Sequence, residues 1–158
     1  MGSARVMSDN VKGMVAGGIA TVALSAFMLL TEASGISPQL ELPRLLLSVL
    51  DAPADYALGW IAHLVIGSVI LGGIFAHVEP RLGADTHTKS GILYGVIVWL
   101  VMMLVFMPAA GVGYFGFQLS VGTPIVELGL QVLYGAVLGW TYGKLSPTHN
   151  PFTKHHPA

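Results

Sequence analysis

Residues 57–77, A-L-G-W-I-A-H-L-V-I-G-S-V-I-L-G-G-I-F-A-H, run for 21 positions without a formal charge. At ~1.5 Å rise per residue, an α-helix of that length crosses a hydrocarbon core of about 30 Å. Lipid offers the backbone no hydrogen-bond partners, so a segment placed there must be helical. Three further runs of this kind occupy 13–31, 91–110 and 124–142, and only the last holds a formal charge, Glu127. The expected fold is therefore all-α, a four-helix transmembrane bundle spanning 13–143. A cytoplasmic N-terminal segment at 1–12 and a mobile cytoplasmic tail at 144–158 flank it.

Charge decides the solvent and the orientation. Charged residues make up 9% of the chain, against roughly 25% in a soluble domain, and the mean hydropathy is +0.73. Six of the seven Lys and Arg residues fall on one side of the predicted spans: Arg5, Lys12, Arg81, Lys89, Lys144 and Lys154, with only Arg44 opposite. The positive-inside rule then places both termini in the cytoplasm. Tyr56 and Trp60 are expected at the outer interface, and Tyr94, Trp140 and Tyr142 at the inner one. The polar start M-G-S-A-R-V-M does not read as a signal peptide, so the first helix is expected to be retained.

The net charge of −1 gives no reason to expect nucleic acid, and the lipid bilayer is the expected partner. Without cysteine there is no disulfide, thiolate metal site, iron–sulfur cluster or cysteine nucleophile.

The connections are uneven. Within 32–56, Pro43 stands at a plausible helix start, with Leu45, Leu46, Val49 and Leu50 on one face. A short helix over 43–50 is expected on the outer membrane surface or capping the bundle. The uncharged stretch 111–124, G-V-G-Y-F-G-F-Q-L-S-V-G-T-P, is expected to dip into the headgroup layer or fold against the bundle.

An internal repeat is readable. Gly13 and Gly17 in the first helix match Gly91 and Gly95 in the third. His63 and Gly67 in the second match Gln131 and Gly135 in the fourth. Two helices per unit make the repeats parallel. The six glycines predict close helix packing, and the same stripes suit a homo-oligomer or a partner in a membrane complex.

The segments H-L-V-I-G-S-V-I-L-G-G-I-F, W-L-V-M-M-L-V-F-M-P-A-A-G-V-G-Y-F-G and L-Y-G-A-V-L-G-W-T-Y-G resemble small four-helix bacterial inner-membrane proteins of unknown function, loosely YagU-like. The resemblance spans about 11–143. It implies a multi-pass protein of the bacterial inner membrane and supplies no activity. In that family's pattern a histidine often precedes the fourth-helix glycine motif. Gln131 stands there in this chain, which argues against any role needing two symmetric histidines.

With both termini cytoplasmic, Met28, Glu32, His63, Met102, Met103, Met107, Glu127 and Gln131 all fall in the outer half of the bilayer. Glu127 and Gln131, four apart, share a helix face. Three readings follow. In the first, His63, Glu127 and Gln131 bond one another or backbone carbonyls and glue the second helix to the fourth. In the second, His63, Glu127, Gln131 and Glu32 line a solute site or path, with Glu127 as a proton or cation site and 108–124 as a gate. In the third, His63 binds a metal with Met28, Met102, Met103 and Met107, a thioether–imidazole set suited to copper(I). The 14-residue separation of His63 and His77 also fits haem ligation from one helix face. The sequence itself names no cofactor. The tail histidines His149, His155 and His156 make at best a weak metal site.

No Ser/His/Asp pattern, H-E-x-x-H, P-loop or Rossmann glycine run is present, so no enzymatic activity is expected. The leading expectation is a non-enzymatic membrane protein that binds or passes a small solute, or serves as an accessory subunit. The alternative is a copper- or haem-binding membrane protein.

Overall fold

The computed structural model describes residues 7–33, 42–53 and 55–146, apart from the side chains of residues 31, 32 and 42. Residues 1–6 and the expected mobile tail from 147 onward, with its three histidines, lie outside the described residues. No strand occurs among those described.

Five helices form. They are α1 (Asp9–Ala33), α2 (Leu42–Val49), α3 (Tyr56–Arg81), α4 (His87–Ala109) and α5 (Thr123–Leu145). All but α2 are long and apolar enough to cross a membrane. They overrun the uncharged stretches because polar residues cap them outside the apolar run. The Asp55 carboxylate accepts from Leu58 N–H at 2.9 Å, and the Thr86 hydroxyl accepts from Lys89 N–H at 3.2 Å. Pro124 opens α5, where its missing N–H would be unpaired in any case. Lys89 Nζ lies 2.8 Å from Asp85 Oδ2. That hydrogen bond first, and the lysine charge second, hold the exposed Asp85 carboxyl below its ordinary range.

Packing order differs from chain order. α1 packs against α3 and α5, and α5 packs against α4, so the helices run α3–α1–α5–α4 across the molecule. Both hairpin crossings are made by glycine. A Cβ at Gly17 would lie 2.8 Å from the Gly67 carbonyl oxygen and from Gly72 Cα; one at Gly91 would lie 2.8 Å from Gly139 Cα and N. Backbones at that separation exclude every other side chain.

Two π-helical turns break the long helices, Ile66–Leu71 in α3 and Met102–Phe106 in α4. The first has a clear geometric effect. Gly67 and Gly72 are five residues apart, which an ordinary helix would place about 140° from each other. The π turn, in which Gly72 N–H donates to Gly67 O, returns both to one face, against Gly13 and Gly17 of α1.

Within the spans, large apolar side chains face outward while some polar ones face inward. Val105 is 63% exposed and Ile125 76%, while Glu127 is 0% exposed and Gln131 6%. Two of the aromatics expected near the inner interface, Tyr94 and Tyr142, are buried between helices. Tyr94 packs its ring 5.3 Å from that of Phe75, and Tyr142 lies edge-on to Phe75 at 5.4 Å; both are buried. Both rings serve helix packing, and the Tyr94 hydroxyl is accepted there by a backbone carbonyl. Tyr56 and Trp140 are exposed.

α2 lies across the start of α3, where Gly59 abuts Pro43. The 110–122 connection folds back on the same end. Phe115 adopts φ +57° and packs 6.0 Å from the Trp99 ring. Gly116, at φ +64°, leaves room for the Thr123 methyl. Met103 and Met107 are fully buried beneath this connection, with Trp99, Phe106 and Phe115 around them.

Candidate functional site

A cavity of about 410 Å³ lies between α3 and α4, with α1 and α5 as its floor. It exists because α3 and α4, adjacent in the chain, are not packed along their lengths. Tyr94 bridges them toward the Arg81 end, its ring on Phe75 and its hydroxyl donating to Leu71 O at 2.9 Å. Leu46 of α2 closes the other end. Its volume is within the range of small-molecule sites, ~300–1,000 Å³.

Most of the lining is aliphatic, and its polar groups come from all four long helices, α4 contributing the Tyr94 hydroxyl. α5 supplies Glu127, Gln131 and Tyr134 from one face, α3 supplies His63, and α1 supplies Thr21. The separation of Glu127, Gln131 and Tyr134 by four and then three residues is what puts them on that face. His63, Glu127 and Gln131, expected only to share a depth, thus line one cavity. The Glu32 side chain lies outside the described residues.

None of those three bonds another. The Glu127 carboxylate oxygens are both buried without a hydrogen-bond partner among the described residues. Gln131 Nε2 donates to Met102 Sδ at 2.9 Å, and Gln131 Oε1 has no partner. His63 packs edge-on to Trp60 at 5.7 Å, with Nε2 buried and unpaired.

The polar ties between helices come from tyrosines. Tyr134 donates to Gly67 O at 2.6 Å, joining α5 to α3 at the π turn, as Tyr94 joins α4 to α3 at Leu71. Thr21 donates to Gly17 O of its own helix at 2.7 Å. The sequence reading missed Tyr134 and Thr21. A helical projection from Glu127 would have found Tyr134; Thr21 carries no signal beyond standing four residues after Gly17.

The methionines divide. Met102 lines the cavity, Met103 and Met107 belong to the packed cluster under Phe115, and Met28 packs beside both regions. Among the described residues no three His, Asp or Glu side chains are grouped so as to share a metal ion. His77 is exposed and its Nδ1 donates to Gly73 O at 2.9 Å. The one residue added by the intervening π turn rotates His77 by about 100° from the face that 14-residue spacing predicts. Of the residues proposed for copper, His63 and Met102 share the cavity lining while Met103 and Met107 pack elsewhere, and the π turn takes His77 off the His63 face.

At the opposite end His87 Nδ1 lies 2.7 Å from Glu79 Oε1, a partly buried pair joining the end of α3 to the start of α4. Gly143 sits against that imidazole ring.

Compared with known proteins, residues 7–152 match a family described as "Family of unknown function (DUF6789)", and the chain belongs to it. No curated protein matches, and no solved structure does.

Proposed function

We propose that this member of the DUF6789 family is a non-enzymatic, multi-pass protein of a bacterial inner membrane, and that the α3–α4 cavity is its solute-binding site. One observation carries the reading. Glu127 is fully buried at the cavity with neither oxygen engaged among the described residues. Burying such a group without compensation costs several kcal/mol, roughly, and a structural role would provide that compensation inside the protein. Here the tyrosines hold the helices together, and Glu127, Gln131 Oε1 and His63 Nε2 stand aside. The family resemblance supports the inner membrane, and the distribution of Lys and Arg supports cytoplasmic termini.

The crossings also support a bundle of two parallel two-helix repeats. Gly13 and Gly17 meet Gly67 and Gly72 as Gly91 and Gly95 meet Gln131, Gly135 and Gly139. The spacing differs by one residue between α3 and α5, which the π turn in α3 accounts for.

Native mass spectrometry of the chain released directly from its membrane tests the site. A bound small molecule is expected on the wild type and lost in Ile97→Trp. Ile97 lines the cavity from a half-exposed position, so the larger ring fills the space without disturbing the core. Equal occupancy in both proteins would remove the cavity from consideration.

A further inference from the structure

The hydrogen-bonding inventory of the cavity is one-sided. The hydroxyl donors on its lining are engaged inside the protein, Tyr134 on Gly67 O, Tyr94 on Leu71 O and Thr21 on Gly17 O, and one of the two Gln131 amide N–H groups is spent on Met102 Sδ. The acceptors differ. Among the described residues both Glu127 oxygens and Gln131 Oε1 are buried and unpaired, and His63 Nε2 can accept or donate with its tautomer. Among the described residues no Lys or Arg lines the site. A ligand that completes this set brings N–H donors and positive charge, since an ammonium makes charge-assisted bonds to a carboxylate.

The rest of the ligand is set by the walls. Ile74, Ile97 and Val101 line the cavity and are also exposed on the surface between α3 and α4. The cavity thus opens sideways, where a membrane would place acyl chains, and its remaining lining is almost wholly aliphatic.

We propose that the ligand class is an ammonium-headed amphiphile, its head on Glu127 and Gln131 and its apolar body in the gap between α3 and α4. This rests on the cavity being the binding site. The same chemistry occurs in a free lipophilic amine and in the headgroup of phosphatidylethanolamine.

The test uses the full chain in phosphatidylcholine nanodiscs, whose headgroup has no N–H. Saturable binding of radiolabelled dodecylamine, dodecanol and dodecanoate is measured by scintillation proximity. Dodecylamine is expected to bind at least tenfold tighter than either other probe. Glu127→Gln, isosteric and uncharged, is expected to cost the amine at least five times more affinity than the alcohol. Ile97→Trp is expected to weaken every probe that binds.

Three results overturn the proposal. If Ile97→Trp spares all probes, or none binds saturably, the cavity reading falls and the ligand class with it. If Ile97→Trp weakens all three but the amine is not preferred, the cavity stands and the ammonium class alone falls. If the amine is preferred yet Glu127→Gln treats amine and alcohol alike, the assignment of the head to Glu127 falls. Adding phosphatidylethanolamine to the nanodiscs assigns the source: competition with dodecylamine identifies the lipid headgroup, and its absence a free amine.

Discussion

Gly91→Ala adds one methyl group at the α4–α5 crossing, and its cost can be worked from the geometry. The new Cβ would lie 2.8 Å from Gly139 Cα and N, and nearer still to Gly135 O. Carbon atoms pack at about 3.5–4.0 Å, so the helices must part by roughly 0.7 Å or more. No rotamer relieves the contact, because the obstacles are backbone atoms of a helix. Overpacking costs ~1–3 kcal/mol, and a rigid obstacle argues for the upper end. Alanine regains about 1 kcal/mol of helix propensity, leaving a net loss of about 2 kcal/mol. Gly129→Ala is the control, on exposed α5 surface with nothing within 4 Å of the added Cβ. It should be neutral or gain up to ~1 kcal/mol. The two unfolding free energies, from SDS titration of dodecylmaltoside micelles followed by circular dichroism, should differ by about 2–3 kcal/mol on these grounds. A difference under ~1 kcal/mol would refute the claim that backbone contact at glycine holds this pair together.

Tyr134→Phe removes the bond to Gly67 O and should lower stability by ~0.5–1.5 kcal/mol in the same titration; an unchanged midpoint would show that the bond does not tie α5 to α3. His63→Leu removes an unpaired buried nitrogen, so stability should hold or rise by up to ~1 kcal/mol while solute binding weakens. A loss of more than ~1 kcal/mol would return His63 to a structural role. For orientation, a fluorescent-protein fusion after residue 158 should fluoresce, and an alkaline phosphatase fusion within 110–122 should be active. The reverse pattern would invert the topology.

Much of the site was legible as depth and little of it as arrangement. Spacing alone put Glu127 and Gln131 on one face of α5, and the charge distribution placed His63 at a similar depth. That His63 lies across a cavity from them follows from α3 and α4 standing apart, which no local pattern encodes. The haem spacing failed for a definite reason: a π turn changes the phase of every residue after it. That Tyr94 and Tyr142 pack inward was not legible, because an aromatic with a polar tip suits a headgroup layer and a helix interface equally well.

The sequence by itself determined that four long helices form and roughly where, while the capping residues outside the apolar runs set their ends. An uncharged run in lipid leaves the backbone no other way to satisfy its own polar groups. The sequence's glycine pattern also marked part of the close backbone contacts, at Gly13, Gly17, Gly67, Gly91, Gly95 and Gly135, while their partners Gly72 and Gly139 emerged only in the fold. The tertiary structure alone decided the order α3–α1–α5–α4, the open side between α3 and α4, and the meeting of unpaired acceptors there. In water, an apolar stripe tells a helix which way to face. In lipid the outside is as apolar as the inside, so hydrophobicity no longer carries that information. It passes to close backbone approach, to the phase of two π turns, and to two tyrosine hydroxyls that find carbonyls on another helix.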